Sequence, residues 1–352
     1  GRPPRGRPAR CMTAFIVRRL LLLPLVALGV SMLIFSLLQL LTPGMRASLY
    51  ITDPKQLSAL PEIIRKYHLD QPVYVQYWDW LRQVLHGDLG WSETAREPVA
   101  DAIRGFFPAT LELGIYAFAC ILGFGIWLGT LAAVHKDRII DHLSRVASIS
   151  GNSLPTFVWG LFLLMVFYGQ LGWFPPGRLS LDADQFVRTA RFHAYTGLMT
   201  VDAALNRQWW VFWDAAKHLV LPVATLTYYL TAVLVRITRS SMLDTLRTDY
   251  VRTARAKGLA DKVVVDKHAR RNALIPVITL GSLLFVGLLS GVVITETVFN
   301  YPGIGRWGVG ASQQLDIPAV TGFALIFAGL LVIGNLCADV LYAFVDPRIR
   351  LQ

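Results

Sequence analysis

Long apolar runs free of Asp, Glu, Lys and Arg alternate along the chain with polar stretches that carry nearly all the charge. Six runs stand out: Leu20–Leu41, Leu113–Val134, Val146–Gly177, Leu219–Val235, Ala273–Thr295 and Ile317–Ala338. A bilayer core about 30 Å thick is crossed by a helix of about 20 apolar residues. Helices satisfy their own backbone hydrogen bonds in lipid, so the pattern predicts six transmembrane helices. The third run is longer than one crossing needs, the fourth is short, and Asp339 closes the sixth. The first run is too long for the apolar part of a cleaved leader. Leu41-Thr42-Pro43-Gly44 also supplies no small-residue cleavage site, so the run is read as a membrane helix.

Composition sharpens this picture. The 352 residues are 54% hydrophobic and 16% charged, whereas soluble domains carry about 25% charged residues. Intrinsic disorder is excluded by the hydrophobicity. Cys11, Cys120 and Cys337 lack metal-site spacing, and Cys120 and Cys337 read as small packing residues with no disulfide.

The net charge of +11 takes its meaning from its location. Six spans put both ends of the chain on one side, with residues 1–19, 135–145, 236–272 and 346–352. That side holds 21 of the 34 Lys and Arg residues, ten of them in 236–272 against four acidic residues. The positive-inside rule makes this side cytoplasmic. Nucleic-acid binding is a poor reading, because no known motif accompanies the basic residues.

Residues 1–12 have Pro, Gly and Arg without periodicity and read as a disordered tail or upstream residues; 13–41 holds the first helix. Segment 42–112 is too charged to cross a membrane, yet Leu57, Leu60, Ile63 and Ile64, then Tyr74, Tyr77, Trp78, Leu81 and Leu85, fall at helical spacing. It reads as an extracytoplasmic helical segment. Residues 113–345 form the core, and 346–352 a cytoplasmic tail. Segment 172–218, rich in Trp, names no chemistry.

Several activities lack their motifs. There is no GxxxxGK[S/T] loop, no HExxH and no GxSxG. Ion-coupled transporters usually place ionisable groups within their spans. Here Glu112, Glu296 and Asp339 sit at span ends and read as interface-level charges. In the third run Asn152, Ser153 and Pro155 read either as a tolerated kink or helix start, or as polar groups lining a pathway near a hinge.

The loop 236–272 carries the most information. Leu243, Leu246, Tyr250 and Ala254 step by three and four, giving one apolar stripe on a short basic helix. Ala254 and Ala256 are small, and Gly258 is suited to end a helix in a left-handed conformation. Such an element fits a helix lying on anionic lipid or a docking element for a cytoplasmic partner. The narrow stripe ending in Gly suits insertion into a groove.

Asp249–Leu259 (DYVRTARAKGL) with His268–Val277 (HARRNALIPV) resembles the coupling, or EAA, loop of permease subunits in the dipeptide/oligopeptide/nickel ABC importer family. Gly87–Ser92 (GDLGWS), Glu296–Trp307 (ETVFNYPGIGRW) and Asp346–Arg350 (DPRIR) match further signatures of that family. The likeness is nearest to the first, B-type, dipeptide permease subunit and covers almost everything from Met12 onward. Arg252-Thr253-Ala254 stands where the general loop has Glu-Ala-Ala, and the distance from Gly258 to Pro276 is longer; both look like the peptide branch.

The resemblance implies an all-α integral membrane protein with the type I ABC importer permease fold, in a bacterial cytoplasmic (inner) membrane. It implies half of a pathway for dipeptides or short peptides, working by alternating access. Nickel chelates, glutathione or haem are alternative substrates within the family, and an ion-driven secondary transporter is the rival class. The implied partners are a second homologous permease, two ABC ATPase subunits, an extracytoplasmic substrate-binding protein and the lipid bilayer, with no nucleic acid. The chain is expected to be no enzyme and to hold no cofactor, because ATP and Mg bind the ATPase subunits. The expected docking residues are Tyr250, Arg252, Ala254, Arg255, Lys257, Gly258 and Leu259.

Overall fold

The computed structural model describes residues 24–48, 60–289 and 292–345. The expectations for residues 1–12, for Arg18-Arg19 and for the tail 346–352 lie outside the described residues.

The described residues are mostly helical. An apolar helix α1 (Pro24–Leu38) leads to three helices, α2 (Pro43–Ser48), α3 (Leu60–Lys66) and α4 (Val73–Leu85). A two-stranded antiparallel ribbon, β1 (Trp91–Ser92) with β2 (Glu97–Pro98), precedes the 36-residue α5 (Val99–Val134). Next come α6 (Ile139–Ser153) and α7 (Thr156–Leu163), which continues in wider π-helical turns to Gln170. Two short helices, α8 (Leu181–Val187) and α9 (Met199–Leu205), lead to the 38-residue α10 (Trp209–Leu246). Then follow α11 (Asp249–Ala256), α12 (Asp261–Val263) with π-helical turns to Ala269, α13 (Arg270–Leu289), α14 (Val293–Val298), α15 (Ile304–Gln313) and α16 (Ile317–Val345).

Four described helical stretches are long and apolar enough to cross a membrane: Val99–Val134, Trp209–Leu246, Asp261–Leu289 and Ile317–Leu336. The third apolar run is not one straight helix. Leu154 is extended (φ −108°, ψ 140°) before Pro155, because the proline ring disfavours a helical residue ahead of it. The two arms meet at 101°, and together they would make a fifth span.

At about 1.5 Å per residue, α5 and α10 extend beyond a bilayer core. They pack along each other, and α13 packs on both and along α16. Their crossing is close at Gly125 and Gly129, where a Cβ would lie 2.4 Å from Leu234 and 2.5 Å from Thr238. The central core joins Leu113, Ile121, Leu234 and Leu288. A second cluster sets Val99 and Ala102 against Ile304, Trp307 and Ala319. That burial explains why α5 starts fourteen residues before the expected span, inside the segment read as extracytoplasmic.

Candidate functional site

The 236–272 loop divides differently from its apolar pattern. The helix α10 runs on to Leu246, and α11 begins only at Asp249. Leu243 and Leu246 therefore belong to one helix, and Tyr250 and Ala254 to another. The break at Arg247–Thr248 resets the rotation per residue, so the four residues do not form one stripe. Val251 and Ala254, three apart on α11, are the buried pair. They pack with Ala133 at the end of α5, Met242 of α10, and Val264, Ala269 and Ala273 leading into α13.

One expected docking residue is covered by the chain itself: Ala254 is 7% exposed beneath the chain's own helices. Val251, not singled out from the sequence, is its companion, and the i, i+3 spacing was the available signal.

The other expected residues share the exposed side. Tyr250, Arg252, Arg255, Lys257, Gly258 and Leu259 are all exposed. Tyr250 is positioned by Asn272, whose Nδ2 donates to its hydroxyl at 2.8 Å. Arg255 lies 3.3 Å from Asp261 and Arg252 3.5 Å from Asp249. Lys257 makes no ion pair among the described residues.

Gly258 (φ +77°) ends α11. Its N–H donates to Arg255 O at 2.9 Å, and Leu259 N–H to Ala254 O at 3.4 Å. This pair of bonds is the Schellman closure, which requires a left-handed residue at the glycine position. A Cβ there would meet nothing within 4 Å, so the requirement is conformational. The surface presented is basic, with one aromatic ring, an exposed Leu and a sharp turn.

The candidate pathway residues gather at the α6–α7 break. Asn152 lies in the last turn of α6. Ser153 is exposed, and its hydroxyl donates to Ile149 O at 2.6 Å. Pro155 is the N-cap of α7 (φ −56°).

At the opposite end of the bundle the structure reveals polar centres that the sequence did not. Glu112 is buried rather than at an interface. It receives Arg178 Nη2 at 2.9 Å, Thr200 N–H at 2.7 Å and Thr200 Oγ1 at 2.8 Å, tying segment 172–218 to α5. Arg178 also donates to Gly197 O at 2.7 Å. Glu296 is likewise buried and caps α15, accepting from Arg306 N–H at 2.8 Å and Thr110 Oγ1 at 2.6 Å. A Cβ on Gly303 would lie 2.2 Å from the Glu296 carboxyl carbon, so the glycine makes room for it. Asp316 accepts from Ser92 Oγ, the last residue of GDLGWS, at 2.7 Å and from Thr94 N–H, just after it, at 2.9 Å. Among the described residues no group of three or more His, Cys, Asp or Glu is placed to hold a metal.

Two family models match the sequence. Residues 125–351 match the binding-protein-dependent transport system inner membrane component, and residues 12–114 its N-terminal companion. The chain is 42% identical to the di/tripeptide transport system permease protein DppB of Pseudomonas aeruginosa, over 97% of this chain and 100% of that one. It is 43% identical to the probable D,D-dipeptide transport system permease protein DdpB of Escherichia coli, over 93% and 94%. It is 38% identical to the glutathione transport system permease protein GsiC of Shigella flexneri, over 96% and 99%.

Proposed function

This chain belongs to the family of binding-protein-dependent transport system inner membrane components, and we propose that it is a permease subunit of an ATP-driven importer of dipeptides or short peptides. The observation that carries the substrate class is its similarity, over nearly the whole chain, to permeases named for di- and tripeptides. In this reading six helices cross the cytoplasmic membrane, both ends face the cytoplasm, and segment 42–112 meets a substrate-binding protein outside. A second permease completes the pathway. ATP and Mg bind two partner ATPase subunits, and this chain contributes no enzymatic step.

The exposed side of α11 is the coupling surface in this proposal. Tyr250, Arg252, Arg255, Lys257, Gly258 and Leu259 meet the ATPase subunits, whose closure on ATP is passed into the bundle. Asn152, Ser153 and Pro155 sit at the bend of a helix pair beside the pathway. The basic surface supports an acidic rim on the partner groove, where each exposed pair is worth under about 1 kcal/mol.

The test is uptake of labelled di- and tripeptides by proteoliposomes of the whole assembly, with Gly258→Trp as the variant. The space around Gly258 is open, so the fold bears only the left-handed strain of about 1–2 kcal/mol. The expected result is background uptake at wild-type membrane levels. Normal uptake by that variant would sink the coupling assignment, and no peptide uptake by the wild-type assembly would sink the substrate class.

A further inference from the structure

A groove of about 740 Å³ opens between α5, α6 and α10. Its α10 wall includes Ala224, Thr231 and Val235, and its α6 wall includes Leu143 and Ala147. The walls are overwhelmingly apolar, and Leu143 stands 61% exposed beside them.

The end of the groove nearest α11 is electrically different. One helical turn beyond Val235, α10 carries Arg239. Asp141 of α6 is fully buried there and accepts from Arg239 Nε at 2.6 Å and Nη2 at 2.8 Å. It also accepts from Arg145 Nη2 at 3.0 Å. One carboxylate thus serves two guanidinium groups. The other acid, Asp137, is 68% exposed and lies 3.5 Å from Lys136 and 3.7 Å from Arg145. Arg138 and Arg236 are exposed nearby, with no ion pair among the described residues. Five cations against two carboxylates leave this end of the groove positive.

We infer that the groove holds an acyl chain of an anionic phospholipid, whose phosphate sits at the Arg145 and Arg239 guanidinium groups. An apolar groove that runs into five cations sharing two carboxylates matches a molecule with a hydrocarbon tail and an anionic head. An apolar helix from another chain would fill the groove and leave the charge unanswered. The leaflet that supplies the lipid follows from the orientation proposed above; the site itself does not depend on it.

The experiment is native mass spectrometry of the purified importer assembly, equilibrated in detergent with equal amounts of phosphatidylglycerol and phosphatidylcholine. The wild type is expected to retain phosphatidylglycerol in preference. Arg145→Gln should weaken that preference about fivefold, the effect of one basic residue near an anionic headgroup, and Arg145→Lys should preserve it. Ala147→Trp, which fills the groove from an exposed position, should remove the retained lipid. Equal retention of the two lipids by the wild type, or variants that bind as it does, would overturn the proposal. So would release of the second permease by Ala147→Trp with lipid unchanged, since that outcome assigns the groove to a helix. None of these readouts needs transport, so their failure leaves the permease reading standing.

Discussion

Replacing Glu112 by Ala removes the acceptor that holds three elements together. Arg178, 15% exposed, keeps Gly197 O but loses its counter-charge. The Thr200 N–H and hydroxyl lose their acceptor, and Tyr301, buried with its hydroxyl 3.5 Å from Glu112, loses a neighbour. Breaking a buried ion pair from one side costs about 3–5 kcal/mol, because the remaining charge stays buried and uncompensated. Orphaned donors act in the same direction, at about 1–3 kcal/mol each, but share that cost rather than adding to it. The expectation is a loss of about 3–5 kcal/mol for Glu112→Ala, read from denaturant unfolding of the detergent-solubilised chain by Trp fluorescence. The double variant Glu112→Ala/Arg178→Met is expected to recover part of this loss, because it removes the stranded charge. A loss below about 1 kcal/mol, or a double variant no more stable than the single one, would refute the reasoning: the pair would then be hydrated and of little weight.

Gly303→Ala forces a Cβ to 2.2 Å from the Glu296 carboxyl carbon and should destabilise by about 1–3 kcal/mol, the usual cost of overpacking; the same unfolding assay measures it. Ala254→Leu should cost a similar amount by crowding Met242 and Ala273, so uptake and membrane level should fall together. Lys257→Glu reverses an exposed charge on α11. It should leave the membrane level unchanged and lower the amount of ATPase subunit that co-purifies.

Which parts of this molecule its sequence displays follows from how local their causes are. An apolar run and its length are local, so α5, α10, α13 and α16 were all foreseen. The turn at Gly258 was also foreseen, because a helix end and its glycine lie within five residues of each other. The break at Leu154 has a local cause as well, the following proline, but the angle between its arms does not. The buried carboxylates were misread for a non-local reason. Glu112 meets Arg178 across 66 positions, and Thr110 meets Glu296 across 186. Nothing near Glu112 in the chain distinguishes a paired, buried carboxylate from one facing an interface.

Ala254 shows a further limit. Its small size is legible in the sequence, but the surface that closes over it is not. The surface is the chain's own: the ends of α5 and α10 and the start of α13. This gives the loop two unlike sides. The exposed residues set what α11 can bind. Under the proposed coupling role, a load on α11 passes through Val251 and Ala254 into the close-packed ends of three long helices. At the far end of the bundle Glu112, Glu296 and Asp316 bind the intervening segments to α5, α15, α16 and the β1–β2 ribbon. A displacement entering at α11 therefore meets a bundle whose opposite end is fastened by ionic and hydrogen-bonded ties.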